Sequence, residues 1–218
     1  DRNQLQLCKM ATNSGKPVVL ILVEGRPRLI SDFEKGAEAI LFAGYPGMGG
    51  PEAIANILSG KTNPSGKLSF TYPRHAGHHT TYYHKPSETC EYLYPFGHGL
   101  SYTKFDYSEI FASDTLLKSI DTPVKISVDV TNSGTEKGKE TVLIYMRDNI
   151  GTITRPVRKL VHFEKISLQP GETTSVEVEF IPEKIFSYPD VSGNLIIEDG
   201  EFAFMVENKK LSVWLDRD

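Results

Sequence analysis

The chain has 218 residues, of which 39% are hydrophobic and 24% are charged, as in an ordinary globular protein of one large or two average domains. A net charge of −4 gives no electrostatic reason to expect a nucleic acid partner, and no apolar run approaches the roughly 18 residues that a membrane-spanning helix needs. Two cysteines are too few for a disulfide framework. We expect Cys8 and Cys90 to be thiols, with Cys8 packed in a helix, and a single bridge between them is the alternative.

The first part of the chain alternates predicted helices and strands. A helix over about residues 4–13 precedes the apolar run 18–23, which is typical of a strand covered on both faces in a parallel sheet. Residues 31–34 can cap a short helical turn, and residues 39–42 form an apolar run of strand length. This alternation predicts an α/β region with a mostly parallel sheet.

Residues 45–73, YPGMGGPEAIANILSGKTNPSGKLSFTYP, predict a glycine loop, a helix, a turn and a strand. Pro51 suits the first helical residue, Gly60 suits a left-handed helix end, and residues 67–71 alternate as a half-buried strand does. The glycine loop is either a ligand cradle at the helix N-terminus or a tight connection between strand and helix. Because the loop lacks the known phosphate-binding spacings, we favour the connection.

Residues 74–95 are rich in histidine and tyrosine and predict a long loop. A metal site is disfavoured, because the adjacent His78 and His79 converge poorly on one ion. The loop is either an aromatic wall that faces a sugar or a surface crossing held by its own aromatic side chains, and both interpretations stay open. For His98 we favour packing over catalysis, because no Ser or Cys nucleophile motif lies near it.

From Phe105 onward the pattern changes to short alternating strands separated by turns. Seven strands are predicted, which is typical of an immunoglobulin-like or fibronectin type III-like sandwich. They cover residues 124–130, 140–146, 159–166, 175–180, 194–197, 201–206 and 211–215.

Residues 50–73 are similar to the signature G-x-E/P-A-I-A-x-x-L-x-G-x-x-N-P-S-G-K/R-L-x-x-T-x-P of glycoside hydrolase family 3, the β-glucosidase and β-xylosidase family. Residues 16–27 resemble its K-P-V-V-V-V-L-x-x-G-R-P pattern, and residues 94–105 resemble its Y-x-F-G-x-G-L-S-Y-T-x-F bridge. Motifs of the family's C-terminal sandwich are matched by residues 128–134, 138–145 and 155–172.

The resemblance implies three parts in this chain. Residues 1–93 are expected to be the C-terminal part of the family's three-layer α/β domain with a long loop, residues 94–122 a bridge, and residues 123–218 the fibronectin type III-like sandwich. The family's TIM barrel and the first half of its α/β domain are then expected to precede Asp1. The residues themselves support this expectation, because a region of about three strands that opens on a helix leaves its sheet edges open.

The resemblance also implies retaining hydrolysis of terminal β-linked glucosides or xylosides without a cofactor, in a secreted, periplasmic or cytoplasmic protein. The family's nucleophile and acid/base motifs do not occur in these residues, so no catalytic residue is predicted in this chain. Glu24 follows a predicted strand at the carboxyl end, where open α/β sheets bind ligands. Glu24, Arg26, Tyr45 and Met48 are therefore candidate neighbours of the sugar. The alternative function is a non-catalytic module that binds a glycan or a protein.

Overall fold

The computed structural model describes residues 2–77 and 81–217, so the expectation about His78 and His79 lies outside the described residues. The chain divides into two compact units, each described below by itself. Unit 1 comprises Asp1–Thr62, Leu68–Thr81 and Cys90–His98, and unit 2 comprises Asn63–Lys67, Tyr82–Thr89 and Gly99–Asp218. Within the described part of the chain, no helix has the length and apolar character needed to cross a membrane.

Unit 1 combines two α-helices, a short 3-10 helix and two separate pairs of strands. The helices are α1 at Arg2–Thr12 and α2 at Gly50–Leu58, with the 3-10 helix at Glu34–Gly36 between them. Strands β1 (Val19–Leu22) and β2 (Ala39–Phe42) pair in parallel, and β3 (Tyr72–Pro73) and β4 (Tyr92–Tyr94) pair antiparallel. The predicted alternation of helices and strands is present. The described strands form one parallel and one antiparallel pair, so a mostly parallel sheet is not confirmed.

The helix boundaries of unit 1 differ slightly from the prediction. Helix α1 begins at Arg2 rather than near residue 4, and Gly50 rather than Pro51 is the first residue of α2. The predicted helical turn after residue 31 lacks its side-chain cap, because the Ser31 hydroxyl donates to the Arg74 carbonyl at 2.7 Å. Ser31 therefore bonds to a residue that is distant in sequence instead of capping the turn that follows it.

The predicted strand over residues 67–71 is wrong. All five residues are described, and none of them lies in a strand. Leu68 instead accepts a hydrogen bond from the Gly97 N–H and donates one to the His98 carbonyl, each at 2.8 Å. The polar and apolar residues alternate there because Leu68 and Phe70 pack against the core of unit 1.

The core of unit 1 covers only one face of β1. Leu20 is 9% exposed, whereas its neighbours Val19 and Ile21 are 46% and 40% exposed. The prediction of a strand covered on both faces is therefore wrong for the described unit. The buried apolar side chains of this unit are Leu20, Ile30, Phe33 and Tyr72.

The two cysteines, both within the described residues, are not joined by a disulfide. Cys8 lies in α1 and packs against the core of unit 1, as we expected. The thiol side chain therefore acts there as a small apolar group.

Unit 2 is a sandwich of a five-stranded and a four-stranded sheet, as predicted. Its elements are β5 (Phe105–Tyr107), β6 (Phe111–Ala112), β7 (Leu116–Leu117), β8 (Val124–Asn132), β9 (Gly138–Asp148), β10 (Lys159–Leu168), β11 (Thr173–Phe180), α3 (Pro182–Phe186), β12 (Tyr188–Pro189), β13 (Leu195–Ile196), β14 (Gly200–Val206) and β15 (Lys209–Leu215). The larger sheet has the order β10-β9-β14-β15-β7, and β11, β8 and β5 form the smaller one, in which β6 also pairs with β8. Every predicted strand of this region overlaps an observed one. The short β5, β6, β7, β12 and α3 were not predicted.

Alternation along β8 and β9 builds the core of the sandwich. On β8, every second residue from Val124 to Val130 is at most 1% exposed, because side chains on a strand point alternately to opposite faces. On β9 the inward row includes two carboxylates, Glu140 and Asp148, which are 5% and 6% exposed. Each faces a cation, with Lys67 Nζ 2.9 Å from Glu140 and Arg155 Nε 3.2 Å from Asp148. These pairs offset the cost of burying the charges.

Asn63 anchors the short segment Asn63–Lys67 within unit 2. Its Oδ1 accepts hydrogen bonds from the Ser101 hydroxyl at 2.9 Å and the Tyr102 N–H at 2.8 Å. Its Nδ2 donates to the Lys137 carbonyl at 3.1 Å. The predicted turn therefore owes its position to bonds with residues distant in sequence.

Candidate functional site

The candidate site lies at the carboxyl ends of the parallel strands β1 and β2. In-register pairing, with Leu22 opposite Phe42, brings the loops that follow the two strands side by side. The Ala43 N–H donates to the Leu22 carbonyl at 2.9 Å, and the Glu24 N–H donates to the Gly44 carbonyl at 3.1 Å. Open α/β sheets place their ligand sites at this edge. The first loop carries Glu24, and the second carries Tyr45 and Met48.

The carboxylate of Glu24 is held in a fixed orientation. Its Oε1 accepts a hydrogen bond from the Arg28 N–H at 3.1 Å and lies 3.2 Å from the Tyr72 hydroxyl. The single proton of that hydroxyl is shared between Glu24 Oε1 and the Arg28 carbonyl, which is 2.7 Å away, so three groups close the turn that follows β1. Burial, and then the negative charge of Glu24, raise the pKa of Tyr72 far above the ordinary tyrosine value. Tyr72 is therefore a neutral donor at neutral pH.

The ring of Tyr45 lies against the backbone of Gly25. A Cβ atom at position 25 would be 2.3 Å from Tyr45 Cε2, which is far inside van der Waals contact. A side chain at position 25 would therefore force the Tyr45 ring to move. The Tyr45 side chain is nevertheless 82% exposed, so one face of its ring is open to a ligand.

The other two candidate residues are exposed on the same loops. Arg26 lies directly after Gly25, and Met48 is fully exposed on the glycine loop before α2. The structure thus brings Glu24 and Tyr45 together through the contact of their loops, whereas Arg26 and Met48 extend into solvent. Sequence reasoning missed Tyr72 and Gly25, because the sequence carries no sign of which distant residue approaches a loop.

The glycine loop itself forms a compact turn. Gly44 and Gly47 adopt positive φ angles of 60° and 64°, which strongly favour glycine. A Cβ atom on Gly50 would lie 2.6 Å from the ring of Pro46, so the loop is packed against the start of α2. This geometry agrees with the tight connection that we favoured over a ligand cradle. Gly60, with a φ of 75°, ends the helical region in the predicted left-handed conformation.

The loop rich in histidine and tyrosine is held by contacts near it in sequence and by one distant contact. In unit 1, Arg74 donates to the Tyr92 carbonyl at 3.1 Å, and His98 stacks on Tyr94 with ring centroids 4.9 Å apart. In unit 2, Tyr82 packs edge-on against Tyr145 at 6.1 Å. These contacts support anchoring for Tyr82 and packing for His98. Among residues 2–77 and 81–217, no three His, Cys, Asp or Glu side chains form a group that could hold a metal ion.

This edge presents one exposed aromatic ring and one oriented carboxylate. An exposed tyrosine ring stacks on the apolar face of a sugar, and a fixed carboxylate accepts hydrogen bonds from its hydroxyl groups. Retaining glycoside hydrolysis requires a nucleophile and an acid/base, and Glu24 can supply only one carboxyl group.

Comparison with known proteins gives two family-model matches. The glycosyl hydrolase family 3 C-terminal domain matches residues 1–102, and a fibronectin type III-like domain matches residues 140–210. Curated relatives with 29–38% identity are named beta-glucosidases or beta-xylosidases.

Two relatives and one solved structure illustrate the similarity. The lysosomal beta glucosidase of Dictyostelium discoideum is 37% identical over 228 residues, covering 99% of this chain and 28% of that protein. The periplasmic beta-glucosidase of Salmonella typhimurium is 38% identical over 194 residues, covering 80% and 25%. The structure of a β-glucosidase from Erythrobacter marinus has a TM-score of 0.91 at 37% identity, covering 98% of this chain and 30% of that chain. The chain thus spans 25–28% of the length of these curated relatives.

Proposed function

Because the chain belongs to glycosyl hydrolase family 3, we propose that it is the C-terminal part of an enzyme that hydrolyses terminal β-linked glucosides or xylosides with retention. The names of the curated relatives support this substrate class. No cofactor is needed, because two carboxyl groups supply the nucleophile and the acid/base in this reaction.

We place both catalytic groups elsewhere in the polypeptide. One oriented carboxylate at the β1 and β2 edge cannot act as nucleophile and acid/base at once. A TIM barrel and the first half of the α/β domain, which the family resemblance implies, would carry them. This chain alone would then have no hydrolytic activity.

The role that we assign to this chain is to hold the sugar. The observation that carries the assignment is the contact of Tyr45 with Gly25 beside the fixed carboxylate of Glu24. Tyr45 offers an open aromatic face, and Glu24 offers an acceptor whose direction is already set. Arg26 and Met48 extend the same surface, with a donor and a flexible apolar side chain.

An assay of the complete polypeptide with aryl β-glucosides and β-xylosides tests the proposal. We expect Tyr45→Ala and Glu24→Gln each to lower kcat/KM about tenfold, mostly through KM, because they remove binding contacts rather than reacting groups. Phe111→Ala is the control, since Phe111 is an exposed aromatic residue of unit 2. Equal activity in all three variants would show that Glu24 and Tyr45 do not contribute to sugar binding.

The role of the chain is tested separately. Hydrolysis by residues 1–218 alone would contradict our placement of the catalytic groups. Product analysis by NMR in the first minutes should show the β-anomer, as retention requires, and an initial α-anomer would exclude that mechanism.

We further propose that the complete enzyme is secreted or periplasmic, as the name of the Salmonella relative suggests for that protein. Activity is then expected in the periplasmic or culture fraction of the source cells. Activity confined to the cytoplasm would contradict this placement.

A further inference from the structure

Trp214, the single tryptophan of the chain, lies on the outer face of the five-stranded sheet. It is 49% exposed, whereas its strand neighbours Val213 and Leu215 are at most 1% exposed. Its position in β15 therefore directs the indole away from the core. A half-exposed indole offers a ligand both an apolar face and an N–H donor.

The residues beside Trp214 form a row across the sheet. Trp214 pairs with Glu201 of β14 on one side and with Leu116 of β7 on the other. Leu116 is 48% exposed and Leu117 is buried, so Leu116 shares the outer face with Trp214. On the far side of Glu201, the Asn149 N–H donates to the Glu201 carbonyl at 3.1 Å, which extends the row to the end of β9. Four strands at ordinary spacing make this row about 14 Å long.

Glu201 is held in place within this row. The Ser212 hydroxyl donates to its carboxylate. That bond, and then a bond from the Asn149 side chain, lower the pKa of Glu201 below its usual value. The carboxylate is consequently an ionised acceptor with a set orientation, and its charge disfavours an anionic ligand.

We propose that Asn149, Glu201, Trp214 and Leu116 form a binding surface for an uncharged oligosaccharide. The indole stacks on the apolar face of one sugar ring, and Leu116 contacts the apolar face of the neighbouring ring. Glu201 accepts hydrogen bonds from sugar hydroxyls, and the Asn149 amide supplies its second N–H donor and its carbonyl acceptor, because its first N–H is bonded to Glu201. A row that combines apolar and polar groups suits a glycan, whose rings are apolar on their faces and polar at their edges.

This surface adds a function to the sandwich that is independent of hydrolysis. It would hold a glycan chain without cleaving it, because its one carboxylate is committed to binding. The proposal therefore stands or falls separately from the proposed glycosidase activity.

The single tryptophan makes the test direct. Circular dichroism and cooperative urea unfolding first establish that residues 1–218 fold on their own, and the folded protein is then titrated with cellohexaose and, separately, with xylohexaose while the fluorescence of Trp214 is recorded. Stacking on a sugar removes water from the indole, so we expect a saturable shift of the emission to shorter wavelength with at least one of the two glycans. Calorimetry on the same protein provides an affinity that does not depend on fluorescence.

Three variants locate the site. Trp214→Ala should weaken binding at least about tenfold by calorimetry, and Glu201→Gln should weaken it about tenfold while keeping the fluorescent reporter. Phe163→Ala is the matched control, because Phe163 is a 66% exposed aromatic residue on β10 of the same sheet. It should bind like the wild type, and circular dichroism checks that each variant folds.

Several results would overturn the proposal. These are the absence of a saturable response to either glycan, unchanged affinity in Glu201→Gln and Trp214→Ala, and an equal loss in Phe163→Ala. An emission shift that follows protein concentration without sugar would also overturn it, because the row would then be a contact between copies of the chain. Sedimentation distinguishes that outcome.

Discussion

The Nζ of Lys67 lies 2.9 Å from the Oε1 of Glu140, and the two side chains are only 17% and 6% exposed. The Tyr107 hydroxyl donates to the same Oε1 at 3.1 Å, and Lys67 Nζ also donates to the Gly99 carbonyl at 3.3 Å. Burial, and then the charge of Glu140, raise the pKa of Tyr107 far above the ordinary tyrosine value, so it stays a donor. The buried ion pair of Lys67 and Glu140 thus anchors the turn that ends at Lys67 within unit 2.

Lys67→Met should destabilise unit 2 by about 3–5 kcal/mol, because it leaves the buried Glu140 carboxylate without its cation. Urea unfolding followed by the fluorescence of Trp214, which lies in this unit, measures the change. Lys139→Met on the same strand is the control, since Lys139 is exposed and its loss should cost less than about 0.5 kcal/mol. If the two variants lose the same free energy of unfolding, the buried pair stabilises unit 2 no more than an exposed lysine does.

Gly99→Ala should destabilise unit 2 by about 1–3 kcal/mol. A Cβ atom at position 99 would lie 2.1 Å from the Gly66 carbonyl oxygen, so the backbone must move. Gly66→Ala is the matched control on the other side of the contact, because a Cβ there meets nothing within 4 Å. The same urea experiment compares them, and an equally stable Gly99→Ala would mean that the turn shifts at no cost.

Gly25→Ala should act like Tyr45→Ala in the complete enzyme. The added methyl group cannot coexist with the Tyr45 ring, so the ring is displaced and kcat/KM should fall about tenfold, mostly through KM. Gly49→Ala serves as the control in the neighbouring loop, because a Cβ there meets nothing within 4 Å. If Tyr45→Ala lowers activity and Gly25→Ala does not, the contact between the two loops does not position the ring.

The acid stability of unit 2 should depend on Glu198. The Thr152 hydroxyl, and then the Tyr188 hydroxyl, donate to this carboxylate and hold its pKa below the ordinary value of 4.5. As the pH falls below that value, the unfolded chain takes up the proton first. The stability from these bonds is therefore present above pH 4.5 and is lost as the pH falls through the lower folded pKa.

Melting temperatures measured across this pH range check the effect of Glu198. Glu198→Gln should be less stable than the wild type near neutral pH, and the difference should shrink as the pH falls. Tyr188→Phe removes one of the donors and should show the same trend to a smaller extent. Curves that stay parallel down to the lowest pH would contradict this account.

The strands of the sandwich were predictable because their signal is local. The residues of β8 alternate between apolar and polar, and every second side chain is buried as that pattern requires. The short β5, β6 and β7 were not predictable, since a strand of two or three residues is defined by its partner rather than by its own composition. The same holds at the candidate site: Glu24 follows a recognisable strand and could be predicted, whereas Tyr72, which bonds to Glu24, is near it only in space.

By itself, the sequence determined the family, the α/β alternation of the first part and the sandwich of the second. The alternation and the sandwich rest on spacing and periodicity along the chain, and the family rests on the resemblance of its motifs. Only the tertiary structure decided that Leu68 bonds to a turn instead of a strand, that Tyr72 orients Glu24, and that Lys67 neutralises Glu140. These contacts depend on which residues distant in sequence come together in the interior. There, a buried polar or charged group is costly unless another group hydrogen-bonds to it or neutralises it.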